Sequence, residues 1–216
     1  MRMNSHKQLW HGRQAKWLTG EVVATVENIS PHWDLSALFD RSRPLELEIG
    51  SGKGTFLLAR AASRPDVNFV GIERAKAYCH YAADRVRRAR LDNVRMLDVD
   101  ATDVVEHLQD ASLLRVHVYF PDPWPKRKHH LRRTLSLAFL RELARILQVG
   151  GELLIVTDHL DYFLQLRRSL SYVAGLAPIT FPTMADEGRE LVGTNFERKY
   201  IAQGRAFYST AMLKYI

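Results

Sequence analysis

One cysteine, Cys79, stands in the whole chain, so no disulfide can form within it and a reducing compartment is its natural setting. It falls in a stretch with helical patterning and reads as a packed thiol. Long apolar runs are missing too: charged or polar residues interrupt every hydrophobic stretch well before the roughly 18 residues needed to span a bilayer. The segment from Met1 to Lys7 holds no apolar core of the kind a signal peptide needs, and the expectation is a cytoplasmic protein with no membrane partner. Internal repeats and low-complexity segments are also lacking, which excludes solenoid and fibrous designs.

What is present fits one globular domain with a short appendage: 216 residues, 46% hydrophobic and 25% charged, enough to bury a full core. The net charge of +7 favours a polyanionic partner, because clustered Lys and Arg release counterions from phosphates. Membrane surfaces would satisfy the same arithmetic, as would a plain solvated face. Two clusters stand out, Lys126, Arg127, Lys128, Arg132 and Arg133, and Arg85, Arg87, Arg88 and Arg90. Residues 1–43 read as a basic, aromatic extension, with Trp10, His11, Arg13, Lys16 and Trp17 before a Ser30-Pro31 break. Such a tail can stack on bases and pair with phosphates, or pack its tryptophans on the domain. The domain proper is expected over 44–216.

From Pro44 onward, short apolar runs alternate with helical periodicity, the pattern of successive βα units on a mostly parallel sheet flanked by helices. Strands are predicted at 45–49, 67–72, 94–99, 113–120 and 151–157. Helices are predicted over TFLLARAA, the Arg-rich stretch to about Arg90, ATDVVEHL, LSLAFLRELARIL and DYFLQLRRSL, the fourth of them stopped by Gly150-Gly151. PTMADEGRE reads as a loop, and RAFYSTAMLKYI as added edge strands. Open α/β sheets bind ligands at the carboxyl ends of their strands, so the chemistry is expected there.

The first strand runs into Glu48-Ile49-Gly50-Ser51-Gly52-Lys53-Gly54. Glycines let the backbone approach a ligand closely and begin a helix at a tight turn, although helix packing alone also calls for them. A dinucleotide fingerprint would place its third glycine at 55, where Thr55 stands. The GxGxG variant with an acid upstream resembles the first motif of S-adenosylmethionine methyltransferases. The second strand ends in Glu73, 23 positions after Gly50, where a carboxylate can accept both hydroxyls of a ribose. After the third strand, Asp100 stands where a nucleoside's adenine would lie by the same resemblance, or caps the next helix.

The fourth strand ends in Tyr119-Phe120-Pro121-Asp122-Pro123-Trp124-Pro125-Lys126. Three prolines in five residues fix torsions, so Asp122 and Trp124 are presented from a stiff loop, with a basic run beside it. His129 and His130 have no Cys or acid at ligand spacing, and no metal is expected.

The string PDPWPK with its basic run, Thr157-Asp158 after the fifth strand and Thr194-Asn195-Phe196-Glu197 near the C-terminus resemble, in order, the bacterial tRNA (guanine-N7)-methyltransferases over roughly residues 45 to 208. The resemblance implies a Rossmann-like fold, S-adenosylmethionine as methyl donor and the variable-loop guanine at tRNA position 46 as substrate. It implies cofactor contacts at Glu48, Gly50, Gly52, Gly54, Glu73, Asp100 and Asp122, with Asp122 also the active-site aspartate. Substrate contacts fall on Lys126, Asp158, Thr194, Asn195, Phe196 and Glu197, and RNA contacts on Lys128, His129, His130, Leu131, Arg132 and Arg133. The extension matches poorly.

Guanine N7 carries an in-plane lone pair and needs no deprotonation, so Asp122 reads as a positioning and electrostatic residue rather than a base. A second acid, Asp158 or Glu197, is expected on the donors of guanine's Watson–Crick edge. An adenine N6-methyltransferase would carry [DNS]-P-P-[YFW] at this strand end, and Asp122-Pro123-Trp124 lacks the second consecutive proline. A small-molecule methyltransferase would not need the basic run. A non-catalytic RNA-binding protein on the same fold would leave the intact glycine turn and acids unexplained.

Overall fold

The apolar runs between Leu45 and Thr157 form neighbouring strands of one eight-stranded sheet in the computed structural model, which describes residues 18–29, 33–184 and 190–216. The strands are β1 (Val23–Ala24), β2 (Leu45–Ile49), β3 (Asn68–Ile72), β4 (Val94–Leu97), β5 (Leu113–Tyr119), β6 (Leu147–Thr157), β7 (Leu176–Ile179) and β8 (Tyr208–Lys214). Their order is β1-β4-β3-β2-β5-β6-β8-β7, parallel except for β8, which runs antiparallel to both neighbours. The helices are α1 (Thr55–Ser63), α2 (Lys76–Arg88), α3 (Thr102–Val105), α4 (Leu137–Ile146), α5 (Leu160–Leu170) and α6 (Asn195–Ala202). Strands β2 and β3 are buried along their whole length, as expected of parallel strands covered on both faces. Chain progression reverses between β2 and β5, which opens a crevice at their carboxyl ends.

Several boundaries differ from the sequence reading. Helix α4 ends at Ile146 without a glycine, because Leu147 is drawn into the sheet opposite Leu113. The Gly150-Gly151 pair therefore sits inside β6, where the ladder to β5 shifts register between Leu113 and Arg115. Of ATDVVEHL, only Thr102–Val105 is α-helical. The C-terminal strand β8 is interior, and β7 takes the edge. Residues expected as an extension contribute β1 to the sheet and Ala24, Ile29 and Leu35 to the core. Trp10 through Trp17, the Ser30-Pro31 break and 185–189 of the PTMADEGRE loop lie outside the described residues. Cys79 is buried on α2, and burial pushes its thiol up to about 12, which makes it unreactive. Among the described residues, no helix is long and apolar enough to cross a membrane.

Candidate active site

At the end of β2 the chain turns through Gly50, Gly52 and Gly54, with φ of 78°, 54° and 68°. A side chain would strain each of them, and the Cβ positions at Gly50 and Gly52 point into open space beside the crevice. Glu73 braces this turn from the end of β3: its Oε2 accepts the Gly52 N–H at 2.8 Å, and its Oε1 accepts the Ala75 N–H at 2.8 Å. Each carboxylate oxygen keeps a second lone pair, so two hydroxyls can still be accepted. Asp100, past β4, accepts from the Thr102 N–H at 3.1 Å and its hydroxyl at 2.8 Å, with Arg74 at 3.5 Å. Burial raises its pKa, but Thr102 and Arg74 outweigh it and hold the carboxyl below the ordinary range.

Glu48 is strongly perturbed. It is 4% exposed, its Oε2 has no hydrogen-bond partner, and burial, with the nearby Glu73 carboxylate adding and Ser51 opposing, pushes its pKa up to about 8. An orphaned buried carboxylate facing a glycine turn fits the ammonium of an amino-acid moiety, which would supply the missing donors and charge. Two residues earlier, Glu46 lies on the same side of β2 but is fully partnered: His117 Nε2 at 2.9 Å, Arg115 at 3.2 Å and Arg60 at 3.8 Å. His117 Nδ1 meets the Tyr119 hydroxyl at 2.8 Å. Burial lowers the pKa of His117, so a neutral ring that accepts from Tyr119 and donates to Glu46 satisfies all three groups.

The β5 loop takes an unusual backbone path. Phe120 and Trp124 have φ of 53° and 41°, left-handed values that non-glycine residues adopt only when their surroundings hold them. Those surroundings are visible. The Phe120 N–H donates to Val156 O at 2.7 Å, and the Arg133 guanidinium donates to Pro123 O at 2.8 Å, to Asp161 at 2.8 Å and to Gln165. Arg132 lies over the Trp124 ring at 5.1 Å, with His129 edge-on at 5.9 Å. The basic run thus folds back as a 3-10 helix, Arg127–Arg132, against the loop it follows. Asp122, Lys126, Lys128 and Leu131 remain exposed, whereas Arg133 is buried and its donors are taken internally. His130 Nε2 lies 3.9 Å from Asp161, and no metal-binding group of three residues gathers among the described residues.

Helix α6 supplies the third wall. Thr194 caps it by accepting the Glu197 N–H at 3.0 Å, and the Asn195 side chain donates to Thr55 Oγ1 at 2.8 Å, tying α6 to the first residue of α1. Phe196 is half exposed and lies 6.2 Å from Phe120 and from Tyr200. Glu197 is fully buried, and its carboxylate accepts from the backbone amides of Leu191, Val192 and Gly193. From this buried position it holds the preceding loop. Asp158, after β6, pairs with Arg205, whose guanidinium lies 4.3 Å over the Tyr200 ring. Thr55, Tyr200 and Arg205 were not legible as site residues. Gly204, a helix-stop signal just after α6, marks the turn that brings Arg205 back, but nothing local announces its partner.

The β4-β3-β2-β5-β6-β8-β7 sheet with one antiparallel strand, a glycine turn after its central strand and acids after the next two define an S-adenosylmethionine-dependent methyltransferase. Solved structures agree at the level of fold: the 16S rRNA methyltransferase KamB superposes with a TM-score of 0.56 at 17% identity, covering 82% of this chain and 88% of its own. A geranyl diphosphate C-methyltransferase from Streptomyces coelicolor, in complex with S-adenosyl-L-homocysteine, gives 0.54 at 15%, covering 82% and 72%. A methyltransferase family model matches residues 42–210. The tRNA (guanine-N(7)-)-methyltransferase of Rhodopirellula baltica is 37% identical over 203 residues, 89% of this chain and 74% of that protein, and that of Geobacillus thermodenitrificans is 32% identical over 208, 94% and 96%. The chain belongs to the tRNA (guanine-N(7)-)-methyltransferase family.

Proposed function

We propose that the protein transfers a methyl group from S-adenosylmethionine to N7 of a tRNA guanine, the variable-loop base at position 46, in the cytoplasm. The observation that carries the reading is the Asn195–Thr55 bond, which sets the α6 wall and its exposed Phe196 against the glycine turn, on the same crevice as the Asp122 loop. Cofactor and base are thereby given adjoining seats.

In this reading the glycine turn and Glu48 hold the amino-acid end of the cofactor, Glu73 the ribose hydroxyls and Asp100 the adenine. The cofactor supplies an electrophilic sulfonium methyl. Asp122 stands exposed on a loop whose torsions are held by prolines and Arg133, so it can place the base in line and stabilise the cation that forms as N7 acquires the methyl. Asp158 accepts from guanine's N1–H and exocyclic amino group, Glu197 being committed to backbone amides. Lys126, Lys128 and Arg132 meet the RNA backbone, and Arg133 holds them in place.

Incubation with labelled S-adenosylmethionine and unmodified bulk tRNA, followed by nucleoside analysis, is expected to give 7-methylguanosine. A labelled N6-methyladenosine would overturn the base assignment. A tRNA with 7-deazaguanine at the target should bind and accept no methyl group, because carbon there has no lone pair.

A further inference from the structure

Helix α6 ends in a left-handed turn that decides where Arg205 goes. Gly204, at φ 63°, donates its N–H to Ile201 O at 3.0 Å, and the Arg205 N–H donates to Tyr200 O at 2.9 Å. This pair of backward bonds is the Schellman motif, and it folds the residue after the glycine over the last helical turn. The Arg205 guanidinium accordingly lies 4.3 Å from the centre of the Tyr200 ring while its Nη2 donates to Asp158 Oδ2. Asp158 is a tenth exposed and fixed at the end of β6, whereas Arg205 is about half exposed and can swing into solvent. Phe120, two residues before Asp122, packs edge-on against Tyr200 at 5.4 Å.

A planar guanidinium that stacks on an aromatic face and donates an N–H to a carboxylate shares its recognition chemistry with guanine's Watson–Crick edge, a planar edge that turns two donors, N1–H and the exocyclic amino group, toward the same acceptor. Adenine offers an acceptor at N1 and does not fit. We propose that Arg205 occupies the seat of the target base: guanine enters by displacing Arg205 from Asp158 and Tyr200, and the released guanidinium is then free for a phosphate of the RNA. Asp158 thus always faces a donor, and a base without a matching donor pair gains nothing from the Asp158 seat, so its weaker binding leaves Arg205 in place and does not depend on it. This rests on the guanine reading above.

The test uses guanosine and adenosine 5′-monophosphate as probes, titrated by ligand-observed NMR into the full chain saturated with S-adenosylhomocysteine. The ratio of the two affinities cancels the phosphate's response to lost charge. Removing an internal competitor raises apparent affinity by the inverse of the competent fraction, so in R205A the preference for the guanine nucleotide is expected to rise about fivefold or more. R205K, which keeps the charge but not the planar fork, should also raise it, and D158N should abolish it in every background. A preference unchanged or lowered in both Arg205 variants, one that survives D158N, or no measurable guanine binding overturns the proposal. If wild type forms 7-methylguanosine in tRNA while the preference does not move, this inference fails alone. If it forms none, the guanine reading fails first.

Discussion

The two halves of the crevice are built by different means. On the cofactor half, the acids sit at the ends of adjacent strands and still have capacity: Glu48 has an unpartnered oxygen, and Glu73 accepts only backbone amides near its own turn. On the substrate half, the corresponding groups are engaged by side chains from far along the chain, Asp158 by Arg205 and Thr55 by Asn195, or by three backbone amides of one loop, as Glu197 is. The contrast teaches that an acid in a matching motif is not thereby a ligand-binding acid. Its existing partners decide.

The sharpest break of this comparison is expected at Asp122, where Asp122→Asn should slow methyl transfer about hundredfold, the scale of losing one transition-state electrostatic contact. Its carboxylate is exposed, so thermal unfolding should be unchanged, and an unaltered single-turnover rate would remove it from the reaction. Next comes Glu197→Gln, which puts an amide donor against three backbone N–H groups and should cost about 2 to 3 kcal/mol of stability. A variant that melts normally but loses only tRNA affinity would return Glu197 to the substrate. Glu73→Ala should weaken S-adenosylhomocysteine binding by about 1 to 3 kcal/mol in calorimetry and, since the Gly52 and Ala75 backbone amides lose their acceptor, lower the melting temperature by less than Glu197→Gln does.

The smallest effect is a pH dependence. With its pKa near 8, Glu48 is mostly protonated at pH 7, and an incoming ammonium favours the carboxylate, so cofactor binding releases a proton. Affinity should therefore rise with pH toward about 8 and level off above it, by at most about 1.4 kcal/mol per pH unit. Glu48→Gln should flatten that slope, and calorimetry in buffers of different ionisation enthalpy counts the proton directly.

The same asymmetry explains what could be read from the sequence. Strand β2 and its glycine turn were legible to the residue, because strand, turn and helix are local matters of apolar run and φ > 0. Glu73's place at the end of the next strand, beside that turn, followed from its spacing to the glycines. The engagement of Glu197 and Asp158 was not legible, since a motif names residue types and leaves their partners open. Arg133 shows the limit most clearly: in sequence it is one cation among several, and only its place beneath Pro123 turns it inward. The Gly150-Gly151 pair misled for the opposite reason, as a helix-stop signal overridden by Leu147 joining the sheet.

The Asn195–Thr55 bond has a thermodynamic consequence. It spans 140 residues of sequence to fasten one wall to the other, and Thr55 also accepts from Arg85, whose guanidinium donates to the Lys53 carbonyl of the glycine turn. A ligand that steadies the turn also steadies α6. Coupling of this kind is reciprocal, so whatever factor a bound cofactor adds to RNA affinity, bound RNA must return to cofactor affinity. Measured in either order the factor should be the same, and Asn195→Ala should bring it toward one, leaving two sites that fill independently.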